Sequence, residues 1–103
     1  MRLRGRTDAN QAAVVRDLRK LGASVAMTSN LGTGYPDILV GWRDRNFWFE
    51  LKDPNQPPSK KKLTDDEKDF HLAWSGQIAV IETVEDALDV MCLGASRPEL
   101  DKE

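Results

Sequence analysis

The chain has one cysteine, one histidine and one tyrosine among its 103 residues. A lone Cys92 can close no internal disulfide and build no multi-cysteine zinc site, so a small buried hydrophobe in the last helix is expected there. No apolar run approaches the roughly 18 residues of a membrane span. The basic start, Met1 to Arg6, has no signal-peptide core behind it, and a cytoplasmic protein with no membrane partner is expected. Also missing is a Gly-Lys-Ser/Thr after the glycine-containing segment Ser29 to Gly34, which excludes a P-loop. That segment reads instead as a flexible turn or a site of close backbone approach to DNA. No internal repeat or second domain is visible. A chain of this length forms a single domain with a modest buried fraction, for which a homodimer would compensate.

Charge is plentiful and unevenly placed. Hydrophobic residues make up 40% and charged residues 31%, ordinary values for a globular domain. The net charge of −2 hides an asymmetry: residues 1–62 hold 12 Lys or Arg against 6 Asp or Glu, and residues 63–103 hold 3 against 11. A basic half suits a phosphate-binding face, although most charges on any protein are merely solvated.

The most informative stretch runs from Gly34 to Lys52. Ile38 to Trp42 and Phe47 to Leu51 are short runs of β-branched and aromatic residues around the turn-like Arg43-Asp44-Arg45-Asn46, which predicts a hairpin. A four-residue loop closed by residues 41 and 46 sets 39 opposite 48 and 37 opposite 50. Asp37 and Glu50 would then face each other, with Cβ atoms about 4.5 to 5.5 Å apart, where like charges destabilise a sheet. A cation between them resolves the conflict. Two carboxylates offer hard oxygen ligands to Mg²⁺, which accepts one or two of them beside water and phosphate. Lys52 lies one step along the same face and can orient a water or steady phosphate charge.

Pro36-Asp37 followed, after twelve intervening residues, by Glu50-Leu51-Lys52 resembles the PD-(D/E)XK nuclease motif. Its surroundings are most similar to the small virus-type replication-repair (VRR-NUC) nuclease domains: Leu18-Arg19-Lys20-Leu21-Gly22 ends a helix, and Gly34-Tyr35-Pro36-Asp37 opens a strand. The resemblance implies an α/β fold with a restriction-endonuclease-like αβββαβ core, a mixed four-stranded sheet flanked by helices, and a C-terminal helix. It also implies a Mg²⁺- or Mn²⁺-dependent DNA endonuclease, selective for branched, junction or flap DNA, acting in phage or bacterial replication, repair or recombination. Asp37 and Glu50 would bind the metal, the Leu51 carbonyl would add a ligand, and Lys52 would position the attacking water. Glu67 stands where the family carries a Gln, and Asp8 is the candidate for an acidic residue in the first helix. The alternative is a catalytically silent nucleic-acid-binding or assembly protein of the same fold, and a purely structural partner is a third reading.

The remaining chain reads in order. Arg2, Arg4 and Arg6 form either a phosphate-contacting tail or a solubilising terminus. Thr7 or Asp8 can cap a helix that runs to about Leu21, with Ala12, Val15, Leu18 and Leu21 inward and Arg16, Arg19 and Lys20 outward. Ala23 to Thr28 reads as a strand. The three prolines of Asp53 to Ser59 forbid regular structure, and Lys60, Lys61 and Lys62 make either a clamp on a DNA backbone or a solvated loop. Thr64-Asp65-Asp66-Glu67 is a capping box, which by itself accounts for Glu67, and Phe70 and Trp74 supply the core face of that helix. His71, four residues after Glu67 on the same side of the helix, is read first as structural, with a catalytic role toward the site as the alternative. Gln77 to Ile81 is a strand, and Thr83 opens a last helix with Ala87, Leu88, Met91 and Cys92 toward the sheet. Residues 1–6 and 96–103 are expected to be tails.

Overall fold

The computed structural model describes residues 5–93 and Pro98, with side chains from Asn10 onward. The elements follow in the order α1 (Gly5–Lys20), β1 (Ser24–Met27), β2 (Ile38–Trp42), β3 (Arg45–Leu51), a 3₁₀ turn (Pro58–Lys60), α2 (Asp65–Ala73), β4 (Ile78–Ile81) and α3 (Val84–Met91). The sheet order is β1-β2-β3-β4; the first three strands are antiparallel and β4 runs parallel to β3. A parallel neighbour needs a crossover, and the segment containing α2 provides it. The protein is therefore α/β with a mixed four-stranded sheet and three helices among the described residues.

Alternation along the strands separates two layers of side chains. Ile38 and Val40 of β2 and Phe47 and Phe49 of β3 are fully buried on one face, under Val14, Val15 and Leu18 of α1 and Ala87, Leu88 and Met91 of α3. Cys92 is buried there as expected. On the other face, Trp48 meets Tyr35, Phe70 and Trp74 at ring-centroid distances of 6.0, 5.7 and 5.5 Å. No residue of α2 is fully buried. Phe70 and Trp74 thus build a small aromatic cluster of their own.

The register 39 to 48 forms as expected, but the turn is shorter. Trp42 pairs with Arg45, leaving only Arg43 and Asp44 as the loop, both with positive φ, 51° and 66°. Two left-handed residues match the twist of the flanking strands. Arg45 and Asn46 belong to β3 because their groups are used there: Arg45 donates to the Met91 carbonyl, and Asn46 accepts from Gln77 Nε2.

Two further expectations change. The first helix begins at Gly5, ahead of the proposed Thr7 or Asp8 cap, so the expected tail is partly helical. Ala12 is exposed, and Val14 takes its place inward. The cause is the position of α1, which touches both β1 and α3 and turns the adjacent Val14 and Val15 into one corner. Its C-terminus closes as the sequence suggests: Ala23 N–H donates to Leu18 O and Gly22 N–H to Arg19 O, with Gly22 at φ +99°.

Candidate active site

Thr28, itself buried, fixes the entry to β2. Its hydroxyl donates to Pro36 O at 2.8 Å and its amide to Asp37 O at 2.9 Å, which extends the β1–β2 pairing by one rung. Asp37 then sits opposite Glu50 by the same register that pairs Ile38 with Phe49. Its Oδ2 accepts from the Leu51 amide at 2.8 Å. The amides of Trp48 and Lys52 bond toward β4, to Gln77 O and Ile81 O, so the intervening Leu51 directs its backbone toward Asp37.

Lys52 joins the two carboxylate-bearing layers. Its Nζ lies 3.6 Å from Glu50 Oε2 and 3.4 Å from Glu67 Oε1. Glu67 does two things: its Oε1 accepts from the Thr64 amide in the capping box at 2.9 Å and also approaches the ammonium. Asp37, Glu50, Leu51 and Lys52 line one cleft of about 610 Å³.

The electrostatics of this cluster are strained. Burial, with the nearby Asp37 and Glu67 charges, pushes the Glu50 carboxyl up to about 9, against the pull of Lys52. Burial also raises Asp37, opposed chiefly by the Leu51 amide. For Glu67 burial acts upward, yet the Thr64 amide and Lys52 together hold it below its ordinary range. Glu50 Oε1 is buried with no hydrogen-bond partner. A buried acceptor of this kind costs free energy unless a proton or a cation meets it.

The residues fit a divalent cation on that ground. Asp37 and Glu50 offer hard oxygens, and one of those oxygens is orphaned. Among the described residues no three His, Cys, Asp or Glu side chains close into a cage by themselves. Two carboxylates completed by backbone oxygen and water suit Mg²⁺.

The other expected residues divide. Lys60 lines the cleft; Lys61 pairs with Glu82 Oε2 at 3.2 Å; Lys62 is exposed. His71 is absent from the cleft lining, and burial lowers it below its ordinary value. Arg4 and the side chains of Arg6 and Asp8 lie outside the described residues. Gly34 uses its freedom internally: at φ +84°, a Cβ there would stand 2.6 Å from Asp66 O in the first turn of α2. The Pro-rich segment holds a 3₁₀ turn with Pro58 as its first residue, where the missing N–H is not needed.

Asn10, Gln11 and Gln56 were not expected at the site, yet they line it. Asn10 Nδ2 donates to Lys52 O at 3.3 Å, tying α1 to the end of β3. Its signal was available, since Asn10 stands four and eight residues before the buried Val14 and Leu18 and so places an amide on an inward stripe. Comparison with known protein families, curated proteins and solved structures finds no match to this chain.

Proposed function

We propose that the protein is a divalent-metal-dependent phosphodiesterase acting on DNA, an endonuclease of the PD-(D/E)XK kind with a restriction-endonuclease-like core. The observation that carries this reading is the convergence of Asp37, Glu50 and Lys52 at one end of the β2–β3 pair, with a buried Glu50 oxygen lacking a partner. Asp37 and Glu50 would hold Mg²⁺ or Mn²⁺, with the Leu51 carbonyl on the same side. When bound, the ion would acidify a water and offset charge on the phosphate.

The chain's own groups supply the rest. The Lys52 ammonium, steadied by Glu67, orients the attacking water and faces the charge that develops on phosphorus-bound oxygen. Asn10 fixes the backbone carbonyl of Lys52 and thereby the root of that side chain. Water oxygen bonds to phosphorus as the opposite P–O bond breaks; the attacking water gives up a proton to solvent and the leaving oxygen takes one from solvent.

Selectivity for flaps or junctions and a homodimeric assembly are part of this proposal, supported by the resemblance of Pro36-Asp37 and Glu50-Leu51-Lys52 to that family. The test is cleavage of a matched panel (duplex, single strand, flap and four-way junction) in Mg²⁺, Mn²⁺ or EDTA. Metal-dependent cutting lost in Asp37→Ala and Lys52→Ala supports the reading. A folded wild type that cuts nothing overturns it in favour of a binding protein.

A further inference from the structure

We infer that Gln11, Gln56 and Lys60 form a phosphate-receiving wall in the cleft that Asp37 and Glu50 also line, and that this wall holds the nucleic-acid backbone beside the scissile bond. The inference rests on the phosphodiesterase reading of the carboxylate site.

The cleft lining combines two opposite chemistries. Asp37 and Glu50 alone would repel an incoming phosphodiester, and the Lys52 ammonium is already shared between Glu50 and Glu67. Gln11 on α1 and Gln56 and Lys60 beyond β3 bring amide and ammonium donors to the same space. Asp53 also lines it, its Oδ1 accepting from the Asn55 amide at 2.9 Å, so the Lys60 ammonium has one carboxylate to offset in its own part of the lining.

The loop that carries Gln56 and Lys60 is ordered by its own hydrogen bonds. Gln56 N–H donates to Asp53 O at 3.1 Å, Lys60 N–H to Pro57 O at 2.9 Å and Lys61 N–H to Pro58 O at 3.0 Å. Pro54, Pro57 and Pro58 fix three φ angles, and the Lys61–Glu82 pair pins the end of the segment to the connection after β4. A loop already held in shape loses little entropy when a ligand arrives. The lysine triplet thus divides its work: Lys60 faces the cleft, while Lys61 anchors the loop.

The test is fluorescence anisotropy of a labelled single strand and a labelled duplex, each about 20 nucleotides and far longer than one phosphate contact, titrated at several KCl concentrations with Ca²⁺ in place of Mg²⁺. Lys60→Ala should reduce the slope of log affinity against log salt by about 0.7 on the single strand and about 0.9 on the duplex. Gln11→Ala and Gln56→Ala should weaken binding without moving the slope, because a neutral amide releases no counterion. Lys68, exposed on α2 and not part of the cleft, gives a charge-matched control whose slope stays as in the wild type. An unchanged slope in Lys60→Ala, an equal change in Lys68→Ala, or no binding by the wild type overturns the wall. Asp37-dependent cutting with unchanged slopes refutes the wall alone. The expected slopes without any metal-dependent cutting refute the phosphodiesterase reading and leave the wall in place.

Discussion

Asp37 Oδ2 accepts a hydrogen bond from the Leu51 amide at 2.8 Å, so a candidate metal ligand also closes the last rung of the β2–β3 ladder. The two roles separate by substitution. Asp37→Asn keeps an oxygen for the amide and removes a charge that burial disfavours. It should match or exceed the wild type in urea stability without metal, while cleavage is lost. Asp37→Ala orphans the Leu51 N–H at about 1 to 3 kcal/mol, offset in part by the same loss of charge. The Asn protein should therefore be the more stable of the two. The reverse order would mean that the hydrogen bond contributes nothing.

Glu50 dictates a pH dependence. Its folded value of about 9 lies above the ordinary 4.5, so the folded protein holds a proton that the unfolded chain releases. Its stabilisation is full below the ordinary value and is lost as pH rises toward 9, at no more than about 1.4 kcal/mol per pH unit. Asp37, also raised, acts in the same sense. Glu67 is lowered, so its contribution is present above its ordinary value and is lost as pH falls through its folded one. In EDTA, urea midpoints should decline from about pH 5 to about pH 9, and Glu50→Gln should flatten the decline. Millimolar Mg²⁺ at alkaline pH should stabilise the wild type more than Glu50→Gln. A flat wild-type profile in EDTA would mean that Glu50 is already ionised in the folded protein.

The parts of this fold that were legible in the sequence are those governed by local rules. The capping box at Thr64–Glu67 forms as written, Thr83 opens α3 as expected through a second box with Asp86, and Gly22 ends α1. The pairing of Asp37 with Glu50 followed from period-two alternation once one register was chosen. What was hidden depends on distant partners. Arg43-Asp44 lacks the Gly that usually marks a two-residue turn, and Arg45 is drawn into β3 by a carbonyl at the end of α3. Val14 replaces Ala12 because α3 crosses beside α1. Gln56 is one polar residue in a polar loop, and only the folded loop brings it to the cleft.

Gly34 and Gly22 offer a matched comparison. Both have positive φ, +84° and +99°, but a Cβ at Gly22 meets nothing within 4 Å whereas one at Gly34 meets Asp66 O at 2.6 Å. Gly22→Ala should cost about 1 kcal/mol, the strain of a left-handed alanine. Gly34→Ala adds a clash with helix backbone and should cost about 2 kcal/mol or more. It should also lower cleavage, because Pro36 and Asp37 follow directly and α2 carries Glu67. Equal losses of stability in thermal unfolding would remove the clash from the explanation.

The aromatic cluster holds α2 over the site, since that helix buries no residue in the main core. Phe70 stacks on Trp74 at 5.5 Å and meets Tyr35 at 4.9 Å. Phe70→Ala should destabilise by about 2 kcal/mol, shift tryptophan fluorescence and reduce cleavage through the loosened Glu67–Lys52 pair. Leu72→Ser, at a position 80% exposed on the same helix, should stay within about 0.5 kcal/mol of the wild type. Loss of stability in Phe70→Ala with full activity would show that α2 does not need to be fixed for Lys52 to act.

Lys52 is both counter-charge and candidate catalytic group, and two variants distinguish these roles. Its side chain is 15% exposed between two carboxylates, at 3.6 Å from Glu50 and 3.4 Å from Glu67. Lys52→Met leaves Glu67 without its internal cation and holds Glu50 protonated to still higher pH, so it should cost on the order of 1 kcal/mol in EDTA at neutral pH. The cost should grow as pH passes about 9 and Glu50 would ionise unpaired. Mg²⁺ should recover part of that loss. Lys52→Arg keeps the charge but replaces a compact ammonium by a planar, forked donor set that cannot occupy the same point. Its stability should stay near that of the wild type while cleavage falls by about 100-fold or more. Wild-type cleavage in Lys52→Arg would reduce Lys52 to a counter-charge and leave the orientation of water to other groups in the cleft.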